Sequence, residues 1–302
     1  MIIKKRLPAL YILNKVKYQI FYITVYSIII YFLKQFMNVK HLSIPIAIPS
    51  ILGTTISLLL AFKTNQSYDR WWEARILWGS IVNESRNFIR QIVSFCKIST
   101  ADKNLIALIK KVSYRQIAWS YLLVSSLREQ ELPKNLSTFI DDNELSKVKS
   151  SMNKPNTLLQ FHSLDIQTLL DQGIINNHQM QQLDNTINNL CNSMGGCERI
   201  KATVFPPIYS VFINSFVYLF ALSLPLGLID GFGISEIPIT AITVTPFFII
   251  EKIAIDTQNP FENKPTDTPI SAISRNIEIN IRQMIGETEV PEKIQPDDSY
   301  LM

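Results

Sequence analysis

Residues 42–62 read LSIPIAIPSILGTTISLLLAF and continue without a break into residues 63–75, KTNQSYDRWWEAR. The first stretch is uncharged throughout, and about 20 apolar residues in a helix cross the hydrocarbon of a bilayer. Trp71 and Trp72, with the alternating charges of Asp69, Arg70, Glu73 and Arg75, suit the interfacial edge that such a helix meets as it leaves. The chain reads first as a membrane protein.

Working outward, three more blocks have a crossing length: Ile20–Phe36, Phe205–Ile229 and Ile234–Ile255. Lys34 near the end of the first can snorkel to the interface, and Glu251 and Lys252 sit near the exit of the last. Lys4, Lys5, Arg6, Lys15 and Lys17 precede the first block, so the positive-inside rule places the N-terminus in the cytoplasm. Four crossings of the cell membrane then return the C-terminus to the same side. The basic segment is long and no small-residue cleavage site follows it, so it reads as retained rather than as a signal peptide. Short connections at Met37–His41 and Asp230–Gly233 leave the rest as cytoplasmic mass. The expected organisation is an N-terminal segment 1–19, spans in 20–62, a helical cytoplasmic domain 63–204, spans in 205–255, a helical segment 256–286 and a disordered tail 287–302.

The cytoplasmic part reads as helical. Leu77, Ile81, Phe88, Ile92 and Phe95 recur at helical spacing. Leu105, Leu108, Ile109 and Val112 open a second helix that continues through Leu122, and Met180, Leu183, Ile187 and Leu190 mark a third, preceded by Gln172-Gly173. Pro133–Pro155 is polar and reads as a loop or short helix. No alternation marks a strand, so the fold class is an all-α membrane protein.

Composition narrows the function. Hydrophobic residues make up 47% and charged residues 18%, and the formal charge of +4 comes with no basic run interleaved with aromatics, which argues against a nucleic-acid partner. Cys96, Cys191 and Cys197 match neither zinc knuckles nor a redox pair and read as idle thiols. No cofactor or metal is expected. His41, His162 and His178 lie far apart, and neither a nucleophile elbow nor a phosphate-cradling glycine loop is present, so an enzyme is not favoured. A secondary transporter needs ionisable groups or broken helices near the midplane, where this chain offers little. A membrane scaffold is the third class, and single-channel steps separate the first from both others.

An apolar second span ending at Phe62, followed eight positions later by Arg70-Trp71-Trp72, resembles the bestrophin channels. Gly196-Cys197-Glu198-Arg199-Ile200, the Pro206–Tyr209 entry to the third span and Asn259-Pro260-Phe261 after the fourth stand in the order that family has them. The version Tyr68-Asp69-Arg70-Trp71-Trp72-Glu73-Ala74-Arg75 resembles the bacterial branch. The resemblance implies a homopentamer in the lipid bilayer, passing monovalent ions along a five-fold axis. The second span of each subunit would line a hydrophobic neck at Thr54, Leu58 and Phe62. Their spacing of four and four puts them on one helical face whatever the family, although such a stripe also suits packing against a neighbouring helix. Bulky apolar residues are the family habit, and Thr54 departs from it as a wetter step. Pro49 and Gly53 allow a bend or a close approach of crowded helices.

Lys63 is a candidate vestibule charge that favours anions, with a snorkelling lysine as the alternative. Asp69, Arg70, Trp71, Trp72 and Glu73 read as a structural signature. The resemblance also implies a cytoplasmic aperture in the region of Ile174, Ile175 and His178. An isoleucine there makes an apolar ring, while five imidazoles would make pore charge depend on pH. After Asn259-Pro260-Phe261, only Glu262 and Asp267 remain as acidic groups beside Lys264 and Pro265, so calcium gating of the animal kind is not expected. The family conducts both ion signs; Lys63 leans toward chloride, the bacterial-type motif toward sodium or potassium.

Overall fold

The computed structural model describes residues 9–37, 43–96, 103–203 and 206–296. Lys4, Lys5 and Arg6, residues 38–41 of the first connection, Leu42, Val204, Phe205 and the last six residues of the tail lie outside the described residues. Those described form helices and connections with no strand. In chain order the α-helices are α1 (Ala9–Met37), α2 (Ala47–Phe95), α3 (Lys103–Leu127), α4 (Asp142–Ser150), α5 (Lys154–Asp171), α6 (Asn177–Ala202), α7 (Pro207–Phe232), α8 (Glu236–Thr257) and α9 (Ile270–Met284).

Two compact units share these elements, changing over at Trp71/Trp72, Thr203/Val204 and Asn259/Pro260. In one unit α1 packs along α8 and α7, and α7 packs along α8. Val16, Ile23, Ile56, Leu60, Val217 and Phe248 fill the space between these helices. Phe21, Tyr22, Ile51, Ile208 and Ile242 are each more than 60% exposed, an outward-facing apolar surface that water does not tolerate over such an area. Among the described residues, three helical stretches are long and apolar enough to cross a membrane: Ile12–Phe36, Ala47–Phe95 and Pro207–Thr257. The last holds both α7 and α8. Where a loop was expected at Asp230–Gly233, α7 runs on to Phe232, and a single 3-10 turn, Gly233–Ser235, leads into α8.

The other unit buries α3 against α5, α6 and α9. Trp78, Phe88, Trp119, Leu158, Leu190 and Ile277 lie in its core. The polar stretch expected as a loop or short helix contains α4, whose N-cap Asp141 accepts a bond from the Glu144 amide. Helix α5 was not expected as a separate element. Its start is set by Asn153, which caps the Asn156 amide, and by Pro155 in the first turn.

Within this core lies a buried polar cluster. Arg115 donates from Nη2 to Glu144 at 2.5 Å and from Nη1 to Asp165 at 2.6 Å, and Nη1 stands 3.4 Å from His162 Nδ1. His162 is fully buried, with its ring centroid 4.7 Å from that of Phe88. Burial, reinforced by the Arg115 guanidinium, holds its imidazole well below the usual histidine range. The unfolded chain takes up this proton below about pH 6.5 while the folded chain does not, so folding stability decreases as pH falls from there toward the depressed pKa, by at most about 1.4 kcal/mol per unit. Thermal unfolding of the wild type and of His162→Gln across pH 7 to 5 checks this; equal slopes would contradict it.

Candidate pore-lining face and the ion pairs behind it

Helix α2 runs for 49 residues, about 73 Å, without a break at Phe62. Its buried positions Ile56, Leu60, Lys63 and Ser67 recur every three to four residues and form one side of the helix within its unit. Thr54, Leu58 and Phe62 fall on another side, with Leu58 59% and Phe62 57% exposed and Thr54 exposed as well. The stripe is therefore not consumed by packing inside the chain. Thr54 donates its hydroxyl proton to the Ser50 carbonyl at 3.0 Å, one turn back along the same helix. That bond leaves the side chain offering a methyl group and an acceptor oxygen, and no donor for an anion. Gly53 permits a close approach: a methyl group there would stand 3.1 Å from the Phe220 ring of α7.

Lys63 departs from the expectation of a vestibule charge. It follows Phe62 by one residue, a rotation of about 100°, which turns it away from the exposed face. Its side chain is fully buried, and Nζ donates to Glu251 Oε1 of α8 at 2.9 Å. A lysine so placed is neutralised inside the subunit and presents no net charge to an open vestibule. Glu251 is the residue whose role the sequence reading missed. A carboxylate near the end of one apolar span and a lysine at the end of another were the signal, because an ionisable group at that depth needs a partner.

The signature residues act as brackets. Arg70 Nε donates to the Gln258 carbonyl at 2.9 Å, placing a cation at the C-terminus of α8, where the helix dipole favours it. Asn65 donates to Asp69 at 3.3 Å, and the Tyr68 and Trp71 rings lie 6.0 Å apart. Trp72 is 49% exposed. Glu73 pairs with Arg199 of the last turn of α6. One turn further on, a methyl group on Gly196 would meet Leu77 at 2.9 Å, so the glycine sets how closely α6 approaches α2. Beside it Cys197 is fully buried, and burial pushes its thiol up to about 12. Pro260 accepts at its carbonyl from the Thr268 amide at 3.1 Å, and Phe261 is buried.

The family model described as Bacterial/Fungal Bestrophin protein matches residues 8–283, nearly the whole length. The chain belongs to the bacterial/fungal bestrophin family. Among its relatives, the voltage-dependent anion channel-forming protein YneE of Escherichia coli strain K12 is 28% identical over 289 residues, 96% of this chain and 93% of its own. The voltage-dependent anion channel-forming protein alr2987 of Nostoc sp. strain PCC 7120 is 32% identical over 249 residues, 80% of this chain and 79% of its own. The fold is shared with a bacterial bestrophin homolog from Klebsiella pneumoniae, at TM-score 0.85 and 24% identity over 91% of this chain and 100% of that one.

In this bestrophin chain the three aperture candidates have different surroundings. Gly173 adopts φ +68°, a left-handed turn that ends α5 and redirects the chain. Ile175 then points into the core at 3% exposure, while Ile174 is half-buried and His178 exposed. The start of α6 is fixed by a capping box in which Asn176 and Gln179 exchange side-chain and backbone bonds. His178 therefore sits in the first turn of a firmly anchored helix.

Proposed function

We propose that the chain forms a homopentameric channel in the cell membrane that passes small monovalent anions, chloride foremost, through a neck of Thr54, Leu58 and Phe62. The observation that carries the reading is the exposed apolar stripe on a membrane-length helix in a member of this family. The names of the relatives favour an anion over sodium or potassium. In this reading α1, the first part of α2, α7 and α8 are four crossings, and both termini lie in the cytoplasm. Bulky apolar rings offer no hydration partners, so an ion must keep its water or lose it at a cost, and a narrow ring can dewet. A ring also needs two different flanks that meet. On one side of the stripe α2 and α8 enclose an apolar groove of about 630 Å³ along Ala61, Thr64, Tyr68 and Phe247; the other flank presents Ile48 and Thr55. Single-channel steps from purified protein in a planar bilayer test the reading, and silent bilayers at high protein load would refute it.

Calcium independence belongs to the same proposal. Lys264 pairs with Glu262, and the buried Asp267 accepts from the Lys264 amide at 3.0 Å. Burial raises the Asp267 carboxyl above the usual range, against the pull of that amide bond. A carboxyl already committed and biased toward its neutral form is a poor calcium ligand. Currents recorded in micromolar calcium and in chelator are expected to be equal, and a calcium-dependent open probability would contradict this.

A further inference from the structure

Between α2 and α9, in the unit that contains Trp72–Thr203 and the chain from Pro260, lies a cavity of about 380 Å³. Arg86, Asn87 and Arg90 line one wall, and Asn280, Gln283 and Met284 the other. No carboxylate is among them. Arg115, Arg199, Arg275 and Arg282 of the same unit each meet an Asp or Glu, whereas among the described residues Arg86 and Arg90, like Arg75 and Arg128, form no salt bridge. Among the described residues neither Arg86 nor Arg90 has an acidic partner, and the Arg90 side chain makes no bond. Two uncompensated guanidinium groups at i and i+4 share one helix face and repel each other unless something negative lies between them.

The facing helix supplies the rest. Arg86 Nε donates to Asn280 Oδ1 at 2.8 Å. Because guanidinium only donates, this bond fixes the amide orientation: the oxygen is turned to Arg86 and the Nδ2 hydrogens remain available. Gln283, one turn along α9, adds a second amide, and Met284 closes an edge with apolar surface. Guanidinium forks and amide donors directed at one space match the several acceptor oxygens of a tetrahedral dianion better than they match a spherical monovalent halide.

We propose that Arg86, Arg90, Asn280 and Gln283 form a binding site for a phosphate-class dianion, either inorganic phosphate or the phosphate end of a larger metabolite. The site shares no residue with the neck, and the proposal stands whether or not the chain conducts. With two cations and no aromatic platform it suits a single phosphate group rather than a nucleic-acid strand.

Isothermal titration of the full chain in detergent, with sodium phosphate and separately with adenosine monophosphate at fixed ionic strength in chloride, tests it. One saturable site per chain is expected, with a dissociation constant of about 1 mM or tighter. Arg90→Gln should weaken binding by about tenfold to a hundredfold, since a charge-assisted bond is lost, and Arg90→Lys by less. As the Arg90 side chain holds nothing in place, both variants should elute and melt like the wild type. Binding of phosphate with no binding of the nucleotide supports the free ion as ligand; tighter binding of the nucleotide supports a metabolite. No saturable binding of either up to about 10 mM, or equal affinity in wild type and Arg90→Gln, would overturn the proposal.

Discussion

Glu251→Gln is expected to destabilise the protein by about 3–5 kcal/mol, because it removes the carboxylate to which the fully buried Lys63 ammonium donates. The pair itself is a different matter. Removing two charges from water costs roughly what their attraction returns, so the double variant Lys63→Met/Glu251→Met should unfold within about 1–2 kcal/mol of the wild type, or above it. Thermal unfolding in detergent of the single and double variants makes the comparison. A Glu251→Gln protein that melts with the wild type would show that the Lys63 ammonium does not depend on the Glu251 carboxylate, and would contradict the pairing as its main support.

The second large effect is on conduction. If the exposed face of α2 surrounds an axis, Leu58 and Phe62 set the hydration barrier, and every 1.4 kcal/mol removed from it raises the current about tenfold. Phe62→Ala should raise unitary conductance about tenfold and Leu58→Ala by a similar factor, with little effect on folding because both side chains are more than half exposed. Thr54→Ile should act in the opposite sense, replacing an acceptor oxygen with apolar surface. Unaltered conductance in all three would remove these residues from the ion path.

Much of this was legible in one dimension. The length of the apolar stretch before Lys63, the four-residue spacing of Thr54, Leu58 and Phe62, and the stripes of α3 and α6 are periodic signals that need no partner to be read. Helix α5 escaped for a physical reason: its inward positions Leu158, His162, Ile166 and Leu169 keep helical spacing, but the histidine reads as polar although it is fully buried against Phe88 and Arg115. The Lys63–Glu251 pair was not legible because its members stand 188 residues apart, and only the packing of α2 against α8 brings the two together. Ile174 and Ile175 could not be told apart because the left-handed turn at Gly173 decides which of two neighbours enters the core. The run past Phe62 into Arg75 was legible, because no glycine or proline interrupts it; the stripe Leu77, Ile81, Phe88, Ile92 and Phe95 read as cytoplasmic is carried by that same helix.

With Lys63 neutralised, anion preference cannot rest on that residue, and the sign of the permeant ion becomes the sharpest question for the channel reading. Reversal potential in a planar bilayer across a tenfold sodium chloride gradient answers it: the account predicts a shift toward the chloride equilibrium potential, steeper single-channel currents in Phe62→Ala, and no change with calcium. A shift toward the sodium potential would contradict the anion assignment, and the absence of any unitary current would contradict the pore itself.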